Sequence, residues 1–266
     1  FNPPFEAPSY SNYATALAGL IVGNIEGKPF HDVVEERLLT PLGMTRSTFR
    51  EPLPEALAPD ISDSPSRRGG QFVDGGFEYV GSFGPAGSLS ATADDMSCYM
   101  RAHLNDGAFG GTQIFSAHVA QKLREPLFRA APGMRAMLHG FRQTIFGDGF
   151  AYGHGGSVLG FRSQMSLHTA SGTGLFVSFT GPEGKEAAQA LAKSFGASFL
   201  GHELPPRPQL PEGYQAPKEV LGTYRSLRMN FSMMEKFFGF YDSDDVEVMT
   251  ANDGALIVGW GSGPVR

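Results

Sequence analysis

The chain has 266 residues and a formal net charge of −6. Its arginines are scattered, which excludes the basic stripe of a nucleic-acid binder, and no apolar run is long enough to span a membrane. Apolar residues make up 41% of the chain, enough for one large domain, or one domain with a small companion, around a real core.

The first predicted element is a helix over Asn12–Gly23. Ala14, Leu17, Ala18 and Ile21 share one face at helical spacing, and Ser11 or Asn12 is placed to cap its start. A second helix opens at Pro29 as a first-turn residue, passes through Val33, Val34 and Leu38, and stops before Pro41. Residues 50–88 are rich in Pro, Gly, Ser and Asp and read as loop. Thr92 and Asp95 form a capping box for a third helix. Met96, Tyr99, Met100 and His103 make its buried face, and Gly107 ends it. Cys98, the single cysteine, falls on this helix and has no partner for a disulfide or a structural zinc site. It reads as a buried, inert thiol. A fourth helix covers Ser116–Leu123.

The pattern then changes. "FRSQMSLHT" and "GLFVSFT" are strand-like runs joined by "ASGTG", a hairpin signal. "GKEAAQALAKSFGASFL" reads as a closing helix. Residues 204–217, "LPPRPQLPEGYQAP", are Pro-rich and read as a linker. Beyond them, "VLGTYRSL", "FFGFYD", "DVEVMT" and "ALIVGW" are short strand candidates for a β-rich module over residues 218–266.

Few chemistries survive a motif search. The seven histidines lack a His-x-x-x-His or His-Glu-x-x-His pair, so no metal is implied, and neither "GTGLF" nor "GHGGS" is a phosphate loop. "HGGS" is similar to the oxyanion loop of lipases, but the chain holds no Gly-x-Ser-x-Gly elbow. Two motifs remain: Tyr10-Ser11-Asn12 near the start and His154-Gly155-Gly156 in the strand-rich half. Taken alone, Tyr10 is a packed aromatic before a helix, Asn12 a cap and His154 a structural histidine.

In order, and with "PLGMTRSTF" and "GPAGSLSATADDM" between them, these motifs resemble the serine β-lactamase and penicillin-binding-protein superfamily, in the form of class C-like esterases and D-peptidases. That superfamily carries a Ser-x-x-Lys, then a Tyr-x-Asn, then a Lys-Thr-Gly or His-x-Gly on an edge strand. The resemblance covers most of residues 9–200. It implies an α/β (α+β) fold with a helical subdomain beside a mainly antiparallel sheet flanked by helices. It makes residues 1–203 the hydrolase domain. It also implies a serine hydrolase acting through an acyl-enzyme on small esters, D-amino-acid peptides or β-lactam-like substrates, without a cofactor.

On that resemblance, Tyr10 is the base that takes the nucleophile's proton, its phenol acidified by a nearby lysine. Asn12 orients that lysine and hydrogen-bonds a substrate carbonyl. Substrate lies along the strand edge. Gly155 and Gly156 let it approach closely, Ser157 supplies an oxyanion N–H, and His154 supplies a donor or a switchable charge. Tyr10, Asn12 and His154 are expected to converge on one cleft.

The resemblance breaks at the first motif. The residues three places before Lys28, Lys122, Lys185, Lys193, Lys218 and Lys236 are Ile25, Val119, Pro182, Ala190, Gln215 and Met233, so no Ser-x-x-Lys occurs. The expectation is a piece of a longer protein, periplasmic or secreted, whose leader and nucleophile precede Phe1. The other expectation is a catalytically inactive homologue that binds a cell-wall peptide or a protein partner. His in place of the third-motif Lys points toward esterases and D-peptidases rather than dedicated β-lactamases.

Overall fold

A computed structural model describes residues 10–129, 135–146, 149–181, 184–200, 215, 217–224, 246–251, 256–260 and 263–265. The chain divides into two units, one of Ser11–Leu204 and one of Phe1–Tyr10 with Pro205–Arg266. Apart from Gln215 and Pro217, the Pro-rich segment 204–217 lies outside the described residues.

The larger unit opens on helix α1, Asn12–Glu26. Ser11 is extended, and its Oγ accepts the Ala14 amide at 3.1 Å, so Ser11 and not Asn12 is the cap. The expected buried face is wrong. Gly19 and Gly23 are the buried residues, whereas Ala14, Leu17, Ala18 and Ile21 are exposed. The cause is a close approach: a Cβ at Gly19 would lie 2.3 Å from Pro85 Cγ. The helix packs by its glycine side, which leaves Tyr13, Leu20, Val22 and, at 77% exposure, Ile25 facing outward.

Pro29 precedes helix α2, Phe30–Val34, rather than opening it. The chain continues as a π-helical turn over Glu35–Leu39, with the Met44 amide donating to the Leu39 carbonyl at 2.9 Å. This wider turn leads Leu39, Leu42 and Met44 into the core.

Residues 50–88 are not all loop. They hold a hairpin of β1 (Pro65–Arg68) and β2 (Gln71–Asp74), a 3-10 turn at Gly81–Phe83 and a short helix α3 (Gly84–Gly87). Gly69 and Gly70 both have positive φ (54° and 82°), the backbone that a two-residue hairpin turn demands.

Helix α4, Ala93–Leu104, is capped by Thr92, which accepts the Asp95 amide at 3.2 Å. The second arm of the expected capping box is absent. Asp95 Oδ2 instead accepts the Arg46 amide at 2.8 Å and the Ser47 hydroxyl at 2.7 Å. Met96, Met100 and His103 are buried, and Tyr99 and Cys98 are half-buried against the core; the thiol is less enclosed than expected. A short β3–β4 hairpin (Ala108–Phe109, Thr112–Gln113) and helix α5, Ala117–Arg124, capped by Ser116, follow.

The sheet is antiparallel, in the order β5 (Arg142–Phe146), β6 (Gly149–Val158), β7 (Phe161–His168), β8 (Thr173–Thr180). Met165 and Leu167 turn to the face covered by α4, where Met100 meets Gly174. Gly184, the first residue of helix α6 (Gly184–Phe199), sits against Arg162 and Phe179, which the pleat turns to the other face. In the smaller unit, β9 (Gly222–Tyr224), β10 (Val246–Thr250), β11 (Leu256–Trp260) and β12 (Gly263–Val265) form a sheet in the order β12-β11-β10-β9. The expected strand "FFGFYD" lies outside the described residues.

Candidate functional site

The candidate residues fall in two local groups. Tyr10 is half-buried just before α1, and Asn12 is the exposed first residue of that helix. Since Ser11 makes the cap, the carboxamide of Asn12 has no capping duty. The second group, His154, Gly155, Gly156 and Ser157, is consecutive on β6, with His154 half-buried and the other three exposed.

Strand register decides what β6 offers. β5 pairs with β6 from Phe146↔Gly149 to Arg142↔Gly153 and goes no further. β7 pairs along the other side to Val158↔Phe161. From His154 onward, among the described residues, β6 therefore has a strand on one side only. The direction of its backbone groups follows from alternation. The Gln143 amide donates to the Ala136 carbonyl at 2.9 Å, away from β6, so Arg142 turns its groups toward Gly153. Gly153 answers toward β5, and so do Gly155 and Ser157, two and four residues on, where β5 has ended. The N–H groups of Gly155 and Ser157 thus face an edge that no strand covers among the described residues, spaced as an added strand requires, while the Gly155 carbonyl already has a partner in the His154 ring.

His154 lies opposite Met165, so its ring starts from the sheet face shared with Tyr152 and α4. Its Nδ1 is 2.6 Å from the Gly155 carbonyl, and donation to that oxygen requires the proton on Nδ1. Burial, the larger influence, holds the imidazole below its ordinary pKa against the opposing pull of that carbonyl, and the Arg142 charge adds to the lowering. A neutral ring with its proton on Nδ1 leaves Nε2 as an acceptor. In that state the ring acts as a donor to its own strand through Nδ1. The phenols of half-buried Tyr99 and buried Tyr152 are both pushed up to about 12, chiefly by desolvation, and have no base role near neutrality.

Sequence reasoning missed Ser64 and Glu78, whose side chains reach the turn that ends β6. They sit far from either motif, and only the fold brings them there. Among the described residues no cluster of His, Cys, Asp or Glu could hold a metal ion, and no helix is long and apolar enough to cross a membrane.

A family model described as Beta-lactamase matches residues 2–195. The chain belongs to the β-lactamase family. A D-aminopeptidase of Cereibacter sphaeroides is 27% identical over 217 residues, covering 80% of this chain and 39% of the relative. Penicillin-binding protein 4 of Amycolatopsis lactamdurans is 31% identical over 184 residues, 64% of this chain and 46% of the relative. The chain spans less than half the length of these two relatives. Among solved structures, SurE superposes with a TM-score of 0.65 at 22% identity over 98% of this chain and 57% of that one. An octameric penicillin-binding protein homologue from Pyrococcus abyssi gives 0.64 at 19%, over 100% and 56%. Likenesses at that identity show the fold alone, and the fold is the mixed α/β architecture of β-lactamases and transpeptidases. The family is one of serine hydrolases.

Proposed function

We propose that this β-lactamase-family chain is the base-bearing and substrate-binding part of a hydrolase that acts through an acyl-enzyme on ester or amide bonds. The observation that carries this reading is the open edge of β6 at Gly155 and Ser157. A substrate laid along it as an extra strand pairs with Gly155 and brings its scissile carbonyl to the Ser157 N–H. The serine nucleophile belongs to a Ser-x-x-Lys segment outside these residues. Tyr10 takes the serine proton as the serine oxygen adds to the scissile carbonyl, Asn12 holds the lysine, and the Ser157 N–H bears the oxyanion charge. Collapse then breaks the ester or amide bond, the alcohol or amine leaves with that proton, and water cleaves the acyl-enzyme to release the acid and restore the serine. Substrates are small esters and D-amino-acid amides, with β-lactams secondary. The D-aminopeptidase relative and the histidine in the third motif support that order. The protein works in the periplasm or outside the cell, which cell fractionation tests.

The experiment is turnover by the complete protein of p-nitrophenyl esters, D-amino-acid p-nitroanilides and a chromogenic cephalosporin, with intact-mass detection of the acyl-enzyme. The expected result is faster turnover of the first two and an adduct on the Ser-x-x-Lys serine. The lack of a Ser-x-x-Lys in these 266 residues favours a second reading, an inactive homologue that binds a cell-wall peptide or a partner. That reading expects saturable peptide binding, no turnover and no adduct.

A further inference from the structure

The turn between β6 and β7, Leu159–Gly160, is gripped from outside the sheet. Ser64 is buried, and its Oγ donates to the Leu159 carbonyl at 3.2 Å. The Leu159 amide donates to Glu78 Oε2 at 2.5 Å. Both polar backbone groups of one turn residue are thus held by one distant segment. That segment is itself closed: the Gly75 amide donates to the Ser64 carbonyl at 2.8 Å, at the base of the β1–β2 hairpin. The grip is tight. Gly160 has φ 72°, and a Cβ there would lie 1.7 Å from Ser64 Oγ. On the far side, the Gly160 carbonyl accepts the Gly181 amide at 2.8 Å.

This grip sits where β6 most needs support. From His154 to Val158, among the described residues, β7 is the strand's one pairing partner, and an edge with one strand neighbour frays from its end. Ser157 is two residues from Leu159, and planar peptides transmit a displaced turn directly to it. An oxyanion donor works only within about 2.7–3.1 Å of the developing charge, so a small shift of that N–H weakens it.

We propose that Ser64 and Glu78 are positioning residues that fix the Ser157 N–H by clamping the Leu159–Gly160 turn. The proposal rests on the reading of Ser157 as the oxyanion donor. Ser64 carries the larger share because it is buried, whereas Glu78 is exposed to competing water.

The test uses Ser64→Ala, Glu78→Ala and Glu78→Gln in the complete protein, with two kinds of readout. The first is amide exchange and chemical shift at Leu159 and Ser157. Exchange at Leu159 should speed up about tenfold or more in both alanine variants, with a shift change at Ser157. Glu78→Gln keeps an acceptor and should restore much of the native behaviour. The second is kinetic. In Ser64→Ala, kcat should fall about tenfold with KM within about twofold, well short of the hundredfold or more that follows loss of a whole oxyanion donor. A boronate transition-state analogue should weaken in proportion to kcat/KM. Unchanged amides in both alanine variants would overturn the clamp, as would loosened amides with unchanged kcat. If the unsubstituted protein hydrolyses nothing, the hydrolase reading fails, and the amide readout still decides whether the clamp exists.

Discussion

Two side chains show how environment, rather than residue type, assigns a role. His103 lies buried among Tyr99, Phe115, Phe141 and Tyr152, and its pKa is lowered to about 4, chiefly by burial and secondarily by the Arg124 charge. Unfolded, it titrates near 6.5. Its neutral form therefore adds stability that is fully present above about pH 6.5 and is lost as pH falls toward 4, because the unfolded state takes the proton first. Between pH 7.5 and 5 the loss should be about 2 kcal/mol, read as a falling urea midpoint, and His103→Phe should flatten that slope. An equally steep slope in the variant would assign it to other groups. Tyr10 belongs to the proposed chemistry instead. In the complete protein, Tyr10→Phe should lower kcat about a hundredfold or more and leave the melting temperature unchanged, whereas unchanged turnover would make the tyrosine structural. The two motifs were legible in sequence as fixed residue types at fixed spacing, and the roles proposed for them rest on the family resemblance. The protonation preference of His154 was not, since it depends on burial and on a carbonyl that only the folded strand presents.

Among the elements, those with strong local signals matched the structure and those decided by long-range contacts did not. Ser11, Thr92 and Ser116 cap the helices that they precede, and β7 and β8 flank the turn signalled by "ASGTG". The buried face of α1 was misread because apolar spacing assumes that the larger side chains face inward. Here Pro85 approaches too closely for any side chain at Gly19, so the glycines face in. The β1–β2 hairpin was missed because neither strand alternates: Pro65–Arg68 has no apolar partner positions beyond its proline, and Phe72 and Val73 are adjacent in β2. The α1 inversion has a direct consequence. Gly19→Ala brings a helix-propensity gain of about 1 kcal/mol, but its Cβ would sit 2.3 Å from Pro85 Cγ, and relieving such overpacking costs about 1–3 kcal/mol. The clash should win, with a lowered urea midpoint. Leu20→Ser, on the exposed face, should stay within about 0.5 kcal/mol in this chain. If Leu20→Ser proves the more damaging, the apolar face is buried after all.

For the molecule as a whole, the decisive question is whether these residues hold everything that acyl transfer needs. The reaction requires a nucleophile within reach of both a base and the oxyanion donors. A donor edge is present on β6, and a candidate base is present in Tyr10. The local serines are poor nucleophiles. Ser11 spends its hydroxyl oxygen on the Ala14 amide, and no lysine follows Ser9 or Ser11 one helical turn on. In the proposed reading Ser157 supplies the oxyanion N–H, so its backbone and not its hydroxyl is used. The family likeness over most of residues 9–200 was legible in sequence, from two motifs and the runs between them, and the family model matches residues 2–195. Activity was not, because the proposed acyl transfer needs a nucleophile that no Ser-x-x-Lys in these residues supplies. The 266-residue chain, shown by circular dichroism to be folded, should therefore form no stable adduct with a fluorescent penicillin, an activated ester or a fluorophosphonate. The complete protein should be labelled at its Ser-x-x-Lys serine, and intact-mass measurement followed by peptide mapping reads both outcomes. A stoichiometric adduct on the folded chain alone would place a nucleophile within these residues and displace the proposed division of labour.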